Sequence, residues 1–308
     1  MLKKTIFFVT LLIIIGLIWG CVVNSSSNKI YLLENSPDSC SSVWWVDNDH
    51  IVTGSKTNLT LLSLNSTDKP KILFSVPSEK DILLTPIGYD SIKQELIISQ
   101  FYSYKKGEKK IEETTLWKIN ILHPGKPELF TAGNQYYGAS INPQLDKICF
   151  SKGTGISNSI YIYDLKSTQT TTIMTTDFFD VQSDWSPDGS WLVLVAADNK
   201  NSQLELYCLY RYDLKSGKAE RIETGKYEKW NKDPSISKDA KTIVFTNIKD
   251  NYPLIATNLQ NEQTKVLSAP QDYAIYHPKY SPDGNKMAYI LHSRYSNTRQ
   301  KVAILYLK

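Results

Sequence analysis

Two stretches of this chain, SDWSPDGSWLVLVAA at 183–197 and PKYSPDGNKMAYIL at 278–291, build the same aromatic–Ser–Pro–Asp–Gly corner followed by an apolar run. Looser copies of the frame occur in SISKDAKTIVFTN, SINPQLDKICFSKG, GYDSIKQELIISQ and WWVDNDHIVTG. With the first turn residue as anchor, the six copies start at 46, 90, 142, 186, 237 and 281, spaced 44, 52, 44, 51 and 44 apart. Self-similarity at one period constrains a fold more than any local propensity, because each copy must be the same supersecondary unit. The residue before each anchor is Trp45, Tyr89, Ile141, Trp185, Ile236 or Tyr280, large and apolar in every copy.

Each unit has one inner plan. A short strand ends at the large apolar residue, and the corner follows. Pro presets φ, Asp bonds back to the backbone, and Gly accepts positive φ. The second strands are HIVTG, ELIIS, KICFS, WLVLVAA, TIVFTN and KMAYIL. Several are apolar at consecutive positions, which means burial on both faces. Third strands follow at LTLLSL, TLWKINI, SIYIYDL, LYRYDL, PLIATNL and KVAILYL. Fourth strands are KPKILFS, KPELFTA, TTTIMTT, KAERIET and TKVLSA. Four-stranded units of this length repeated radially predict an all-β, six-bladed β-propeller of antiparallel blades. The sixth unit lacks a fourth strand, and KIYLLE at 29–34 stands unpaired ahead of the first. That segment is expected to close the ring and remove an open edge.

Composition excludes little but directs the reading. Nineteen Tyr and seven Trp favour strands. Of the net charge of +4, two units belong to Lys3 and Lys4 at the N-terminus. The remaining near-balance speaks against a nucleic-acid binder. The densest basic run, YKKGEKK at 104–110, alternates with Gly and Glu and reads as a solvated loop.

The N-terminus MLKKTIFFVTLLIIIGLIWGC has a basic flank, an apolar stretch and a small residue before Cys21, the layout of a secretory signal. Ile18-Trp19-Gly20-Cys21 resembles the bacterial lipoprotein box, which implies a lipid on Cys21. An uncleaved anchor and conventional cleavage are the alternatives. All three place residues 30–308 outside the cytoplasmic membrane, and the lipid anchor is expected to hold the chain at the cell membrane or outer membrane. The expected organisation is a signal peptide over 1–20, a flexible tether over 21–28 and the propeller over 29–308. Cys40, Cys149 and Cys208 are then left over, an odd number without metal-ligand spacing, and Cys149 and Cys208 read as buried thiols.

The aromatic-Ser-Pro-Asp-Gly corner, joined to YIYDL at 161–165 and YRYDL at 210–214, resembles the TolB-like six-bladed propeller family. The resemblance covers about residues 30–308. It implies a scaffold that binds protein or peptide partners at the mouth of its channel. The family's namesake carries an α/β domain before its propeller, and the stretch between Cys21 and the first repeat is too short for one. The chain is therefore expected not to be the namesake itself.

No Gly-x-Ser-x-Gly elbow is present. His50, His123, His277 and His292 fall at different places in their repeats and make no ligand set, so no metal or other cofactor is expected. Asp188, Asp239 and Asp283 occupy equivalent corners, where turn chemistry accounts for them. The informative positions lie one and three residues before the apolar column, on the innermost strands. Alternation puts both columns on the channel side. Asp180, Gln182, Asp184, Asp233, His277 and Lys279 would there form one polar sector on blades four to six, the expected binding site. The leading expectation is a monomeric, non-catalytic, envelope-anchored module for an envelope protein or peptide. A channel-sited lyase or hydrolase acting on an envelope or extracellular polymer, and a small-ligand-sensing lipoprotein, are the competing classes.

Overall fold

A computed structural model describes residues 29–307 apart from 66, 78–80, 126, 132–135, 154–157, 177–181, 198–206 and 296–299. Cys21 and Asp180 lie outside the described residues. An N-terminal strand, β1 (Ile30–Leu32), precedes blade one, which is β2 (Ser42–Trp45), β3 (His50–Gly54), β4 (Asn58–Ser63) and β5 (Lys71–Ser75). Blade two is β6 (Asp81–Asp90), β7 (Glu95–Lys106), β8 (Lys109–Asn120) and β9 (Glu128–Thr131). Blade three is β10 (Tyr137–Ile141), β11 (Lys147–Gly153), β12 (Asn158–Asp164) and β13 (Thr170–Thr176). Blade four is β14 (Ser183–Trp185), β15 (Trp191–Ala197), β16 (Tyr207–Asp213) and β17 (Lys218–Arg221). Blade five is β18 (Asn231–Ile236), β19 (Thr242–Asn247), β20 (Leu254–Asn258) and β21 (Thr264–Ser268). Blade six is β22 (Tyr273–Tyr280), β23 (Lys286–Ser293) and β24 (Gln300–Tyr306).

Six four-stranded antiparallel sheets result among the described residues, and β1 supplies the outer strand of the sixth by pairing with β24. The register Ile30↔Leu305 and Leu32↔Ala303 ties the two ends of the propeller together. The expected closure by the N-terminal strand is therefore the observed one.

The corners form for the reasons their residue types supply. Ser186 Oγ donates to Asp188 Oδ1 at 2.7 Å, and Asp188 Oδ1 accepts the Ser190 amide at 3.0 Å. Ser237 with Asp239 and Ser281 with Asp283 repeat the device. In the diverged corners Asp47, Asp90 and Asn142 cap two amides each. The third strands end on a second cap of the same kind, with Asp164, Asp213, Asn120 and Asn258 accepting downstream amides.

The core runs between blades, which explains the consecutive apolar residues. In β15 one alternate set, Val193 and Val195, packs towards Phe245 and Ile255 of blade five, while Leu192 and Leu194 pack towards Cys149 and Ile160 of blade three. The aromatic column links neighbours as well. Trp45 Nε1 donates to the Lys279 carbonyl at 2.8 Å, and Trp185 Nε1 donates to Ser140 Oγ at 3.1 Å. Cys40, Cys149 and Cys208 are buried free thiols.

One sequence expectation is corrected. The basic run at 104–110 is the tip of a long β-hairpin, with Lys105↔Lys110 and Lys106↔Lys109 in register, and not a loop. Strands β7 and β8 have 12 residues each, and the extra length accounts for the 52-residue spacing of that unit.

Candidate functional site: an axial cavity

The innermost strands β2, β6, β10, β14, β18 and β22 surround the axis. Four of them are irregular, with register shifts between Pro86 and Gly88, Tyr137 and Ser140, Lys232 and Ser235, and Tyr276 and Lys279. Inside three of these bulges sit Gly138, Asp233 and His277, with φ of 59°, 51° and 51°. Gly adopts that region freely, and Asp and His are among the side chains that enter it most readily. Bulges re-aim side chains, and backbone held there is a reservoir of strain that clusters at functional sites.

The bulges correct the expectation of strict alternation. Asp233 and Pro234 both line the axial cavity, and so do His277, Pro278 and Lys279 in succession. The cavity has a volume of about 340 Å³ and takes residues from all six blades. Its apolar wall includes Trp44, Leu83, Ile87, Phe101, Tyr136 and Tyr137. The long hairpin contributes Ser99, Phe101 and Thr114. Phe101 packs against Tyr137 at a centroid distance of 6.1 Å, and the Tyr137 hydroxyl donates to Glu112 at 3.0 Å.

The described members of the expected polar sector do come together. Gln182 Oε1 accepts the Asp233 amide at 2.7 Å, holding the bulge of blade five from blade four. Asp184 accepts the Ile236 amide through Oδ2 at 2.8 Å and pairs with Lys279 Nζ through Oδ1 at 2.6 Å. One carboxylate thus ties blades four, five and six, and Asp184 itself does not line the cavity. Lys279 Nζ also lies 5.1 Å from the centre of the Trp44 ring. His277 Nδ1 stands 3.1 Å from Asp233 Oδ1.

Asp233 differs from the others. Its side chain is only 2% exposed, its oxygens have almost no accessible surface, and His277 is the partner beside it. Burial pushes its carboxyl up, but the charge of His277, hydrogen bonds from the His277 ring and amide, and the charge of Lys232 together outweigh this, so the acid rests below the usual carboxylate range. On two other residues of the lining, Ser42 Oγ and Thr114 Oγ1 are sealed away from solvent without a protein partner. Among the described residues no three His, Cys, Asp or Glu side chains gather to hold a metal ion.

Sequence reasoning missed Phe101, Thr114, Tyr136 and Tyr137. The available signal was the long spacing of unit two, which announces extra strand length without saying where it points.

Six blades, a closing strand and an axial cavity define a β-propeller with its candidate site on the axis. The family model described as the TolB beta propeller domain matches residues 134–304, more than half of the chain, and the chain belongs to that family. TolB from Acinetobacter baumannii superposes with a TM-score of 0.60 at 18% identity, covering 86% of this chain and 65% of that one. The chain thus spans just under two thirds of that TolB. An oligogalacturonate lyase in complex with manganese gives 0.55 at 13% identity, covering 85% of this chain and 74% of that one. A chain of a nidogen/laminin complex gives 0.58 at 12% identity, covering 84% and 99%. At these identities the likeness is one of fold. No curated protein matches the sequence.

Proposed function

We propose that the chain is an envelope-anchored lipoprotein whose propeller binds a protein or peptide partner at the mouth of its axial channel, without catalysis. The observation that carries this reading is the axial cavity, with its mixed wall of aromatic and polar side chains drawn from all six blades. Most of the polar sector is committed to internal struts: Gln182 holds the Asp233 amide, and Asp184 holds Ile236 and Lys279. What is left for a ligand is shape and aromatic surface, the equipment of recognition. The lipid on Cys21 would keep the domain at the cell membrane or outer membrane, facing away from the cytoplasm, with the propeller acting as a monomer.

The test is site-directed photo-crosslinking in intact cells. A crosslinker at Phe101, on the cavity wall, should capture one envelope partner, and a crosslinker at Ile92, which is 93% exposed, should not. Cys21→Ala should abolish incorporation of labelled fatty acid into the chain. Equal capture from both positions would sink the channel-mouth reading. Turnover of an envelope or extracellular polymer by the purified chain, with no captured protein, would move it to the lyase or hydrolase class.

A further inference from the structure

The two ends of the propeller differ in what they present to a membrane, and this step rests on reading the chain as anchored through its N-terminal segment. We propose that the corner-bearing end lies on the bilayer that holds the anchor, with Ile92 and Leu122 in the lipid interface. The Phe101 end of the axial cavity then faces away from that bilayer.

The entry point of the anchor supports the first part. The Lys29 carbonyl accepts the Tyr306 amide at 3.2 Å, and Ile30 pairs with Leu305. Tyr306 pairs in turn with Lys286, the residue that closes the Ser281 corner, so the chain enters at the corner-bearing end. Cys21 to Asn28 are eight residues, and at roughly 3.3–3.6 Å each they span at most about 26–29 Å. Strand β23, also of eight residues, is itself about 26 Å tall. An anchor on that tether reaches the opposite end only by running taut along the flank of blade six. Phe101, in register with Leu83 and Thr114, lies towards that opposite end.

The tether alone would still let the flank lie down, and the surface decides between the two. Asp90 Oδ1 accepts the amides of Ile92 and Lys93 at 3.0 Å, and Asn120 Oδ1 does the same for Leu122 and His123. The two turns brace each other. Asn120 Nδ2 donates to the Lys93 carbonyl at 3.1 Å, and the Ile121 amide donates to the Gln94 carbonyl at 3.0 Å. On this rigid base Ile92 is 93% exposed and Leu122 60%. Elsewhere at the same end the residue two places after the capping Asp or Asn is polar. It is Asp49, Ser190, Lys241 or Asn285 in corners, and Lys166 or Gln260 after third strands. Turn chemistry therefore does not call for an aliphatic residue there, and the core does not use these two. Aliphatic side chains held out from a polar face suit the boundary between headgroups and acyl chains. Tyr306, 41% exposed beside the point of entry, is of the amphipathic type that suits the same boundary. The other exposed aliphatic side chains, Ile72, Leu129 and Val266, stand singly on the outermost strands of three blades.

The test uses the full chain in vesicles of phosphatidylethanolamine and phosphatidylglycerol, labelled at Lys93→Cys or Lys105→Cys with an environment-sensitive fluorophore. The Lys93 side chain is 67% exposed, and Lys105 is exposed near the tip of the long hairpin at the other end. Cys40, Cys149 and Cys208 are buried, and the chain without an added cysteine gives the background. A lipid spin-labelled near its headgroup should quench the label at 93 about threefold or more above that at 105. Ile92→Ser combined with Leu122→Ser should cut the quenching at 93 by about half or more, with the urea midpoint unchanged. Equal quenching at the two positions, or quenching at 93 that ignores the double substitution, would overturn the proposal. The comparison of the two labels needs neither serine substitution, so it stands if that variant folds poorly. A chain that does not float with the vesicles would overturn the anchor and this seat together, whereas one that floats with equal quenching overturns the seat alone.

Discussion

Replacing Asp184 by Ala should loosen the propeller on the side of blades four to six. Its carboxylate accepts the Ile236 amide at 2.8 Å and holds Lys279 Nζ at 2.6 Å. A hydrogen bond to a charged group contributes about 1.5–3 kcal/mol net, and a buried amide left without a partner costs about 1–3 kcal/mol. The ion pair must be discounted, because the side chains of Lys279 and Asp184 are 20% and 15% exposed. Together these give roughly 3 kcal/mol for Asp184→Ala. Asp184→Asn keeps an acceptor for Ile236 and loses only the charge, so about half that loss is expected. Adding Lys279→Met to Asp184→Ala removes the stranded cation and should recover part of the stability. Urea unfolding of the chain from Lys29 onward, followed by tryptophan fluorescence, measures each variant. The double-mutant cycle isolates the coupling between the two side chains. An Asp184→Ala domain within about 0.5 kcal/mol of the wild type would refute the strut, since surface substitutions fall in that range.

Other contacts give predictions of the same kind. A Cβ on Gly54 would lie 1.9 Å from the Leu84 carbonyl oxygen of the next blade, so Gly54→Ala should destabilise by about 2–3 kcal/mol in the same urea assay. Asp233 has a native pKa below the ordinary value, so its contribution to stability is present above about pH 4 and fades as pH falls through the native pKa. Urea midpoints of the wild type and Asp233→Asn should therefore converge on acidification, with a constant gap counting against the ionised carboxylate. Burial pushes the Cys40 thiol up to about 11 and the Cys149 thiol up to about 12. An alkylating reagent near neutral pH should leave both untouched in the native chain and label both in urea, as mass spectrometry would read.

What the sequence displayed and what it hid differ in range. The corner of blade four is closed by Ser186, Asp188, Ser190 and Trp191, all within five residues, so its letters reveal it. The ring closure was legible by counting, because an unpaired strand at 29–34 faced a blade that lacked one. The bulges were not. Asp233 and His277 look like ordinary strand residues, and the contact that holds Asp233, from Gln182, crosses 51 positions of sequence. The long hairpin misled for a related reason. Its end pairs Lys105 with Lys110 and Lys106 with Lys109, and like charges directly opposite each other normally count against a strand. The turn at Gly107, with φ of 65°, supplies the hairpin geometry that the charge pattern obscures.

The polar sector expected from the strand columns therefore divides into two kinds of residue that one inventory could not separate. Gln182, Asp184 and Lys279 face one another across blade boundaries and satisfy their polar groups there. Asp233 is fixed by those same contacts through its amide, and its carboxylate pairs with His277, which also lines the cavity. Preorganised sites have this division, with supporting groups that hold the residues lining the cavity in place. The two kinds should respond differently to substitution. Changes at Asp184 should lower stability and binding together, because the bulge of blade five loses its brace. Asp233→Asn should lower binding with a smaller change in stability near neutral pH, because the strained backbone and the Gln182 contact survive. A plot of binding against stability for the two series would put Asp184 variants on a sloping line and Asp233→Asn well below it. If Asp233→Asn falls on that line, the carboxylate is one more strut, and the axis holds no dedicated polar anchor.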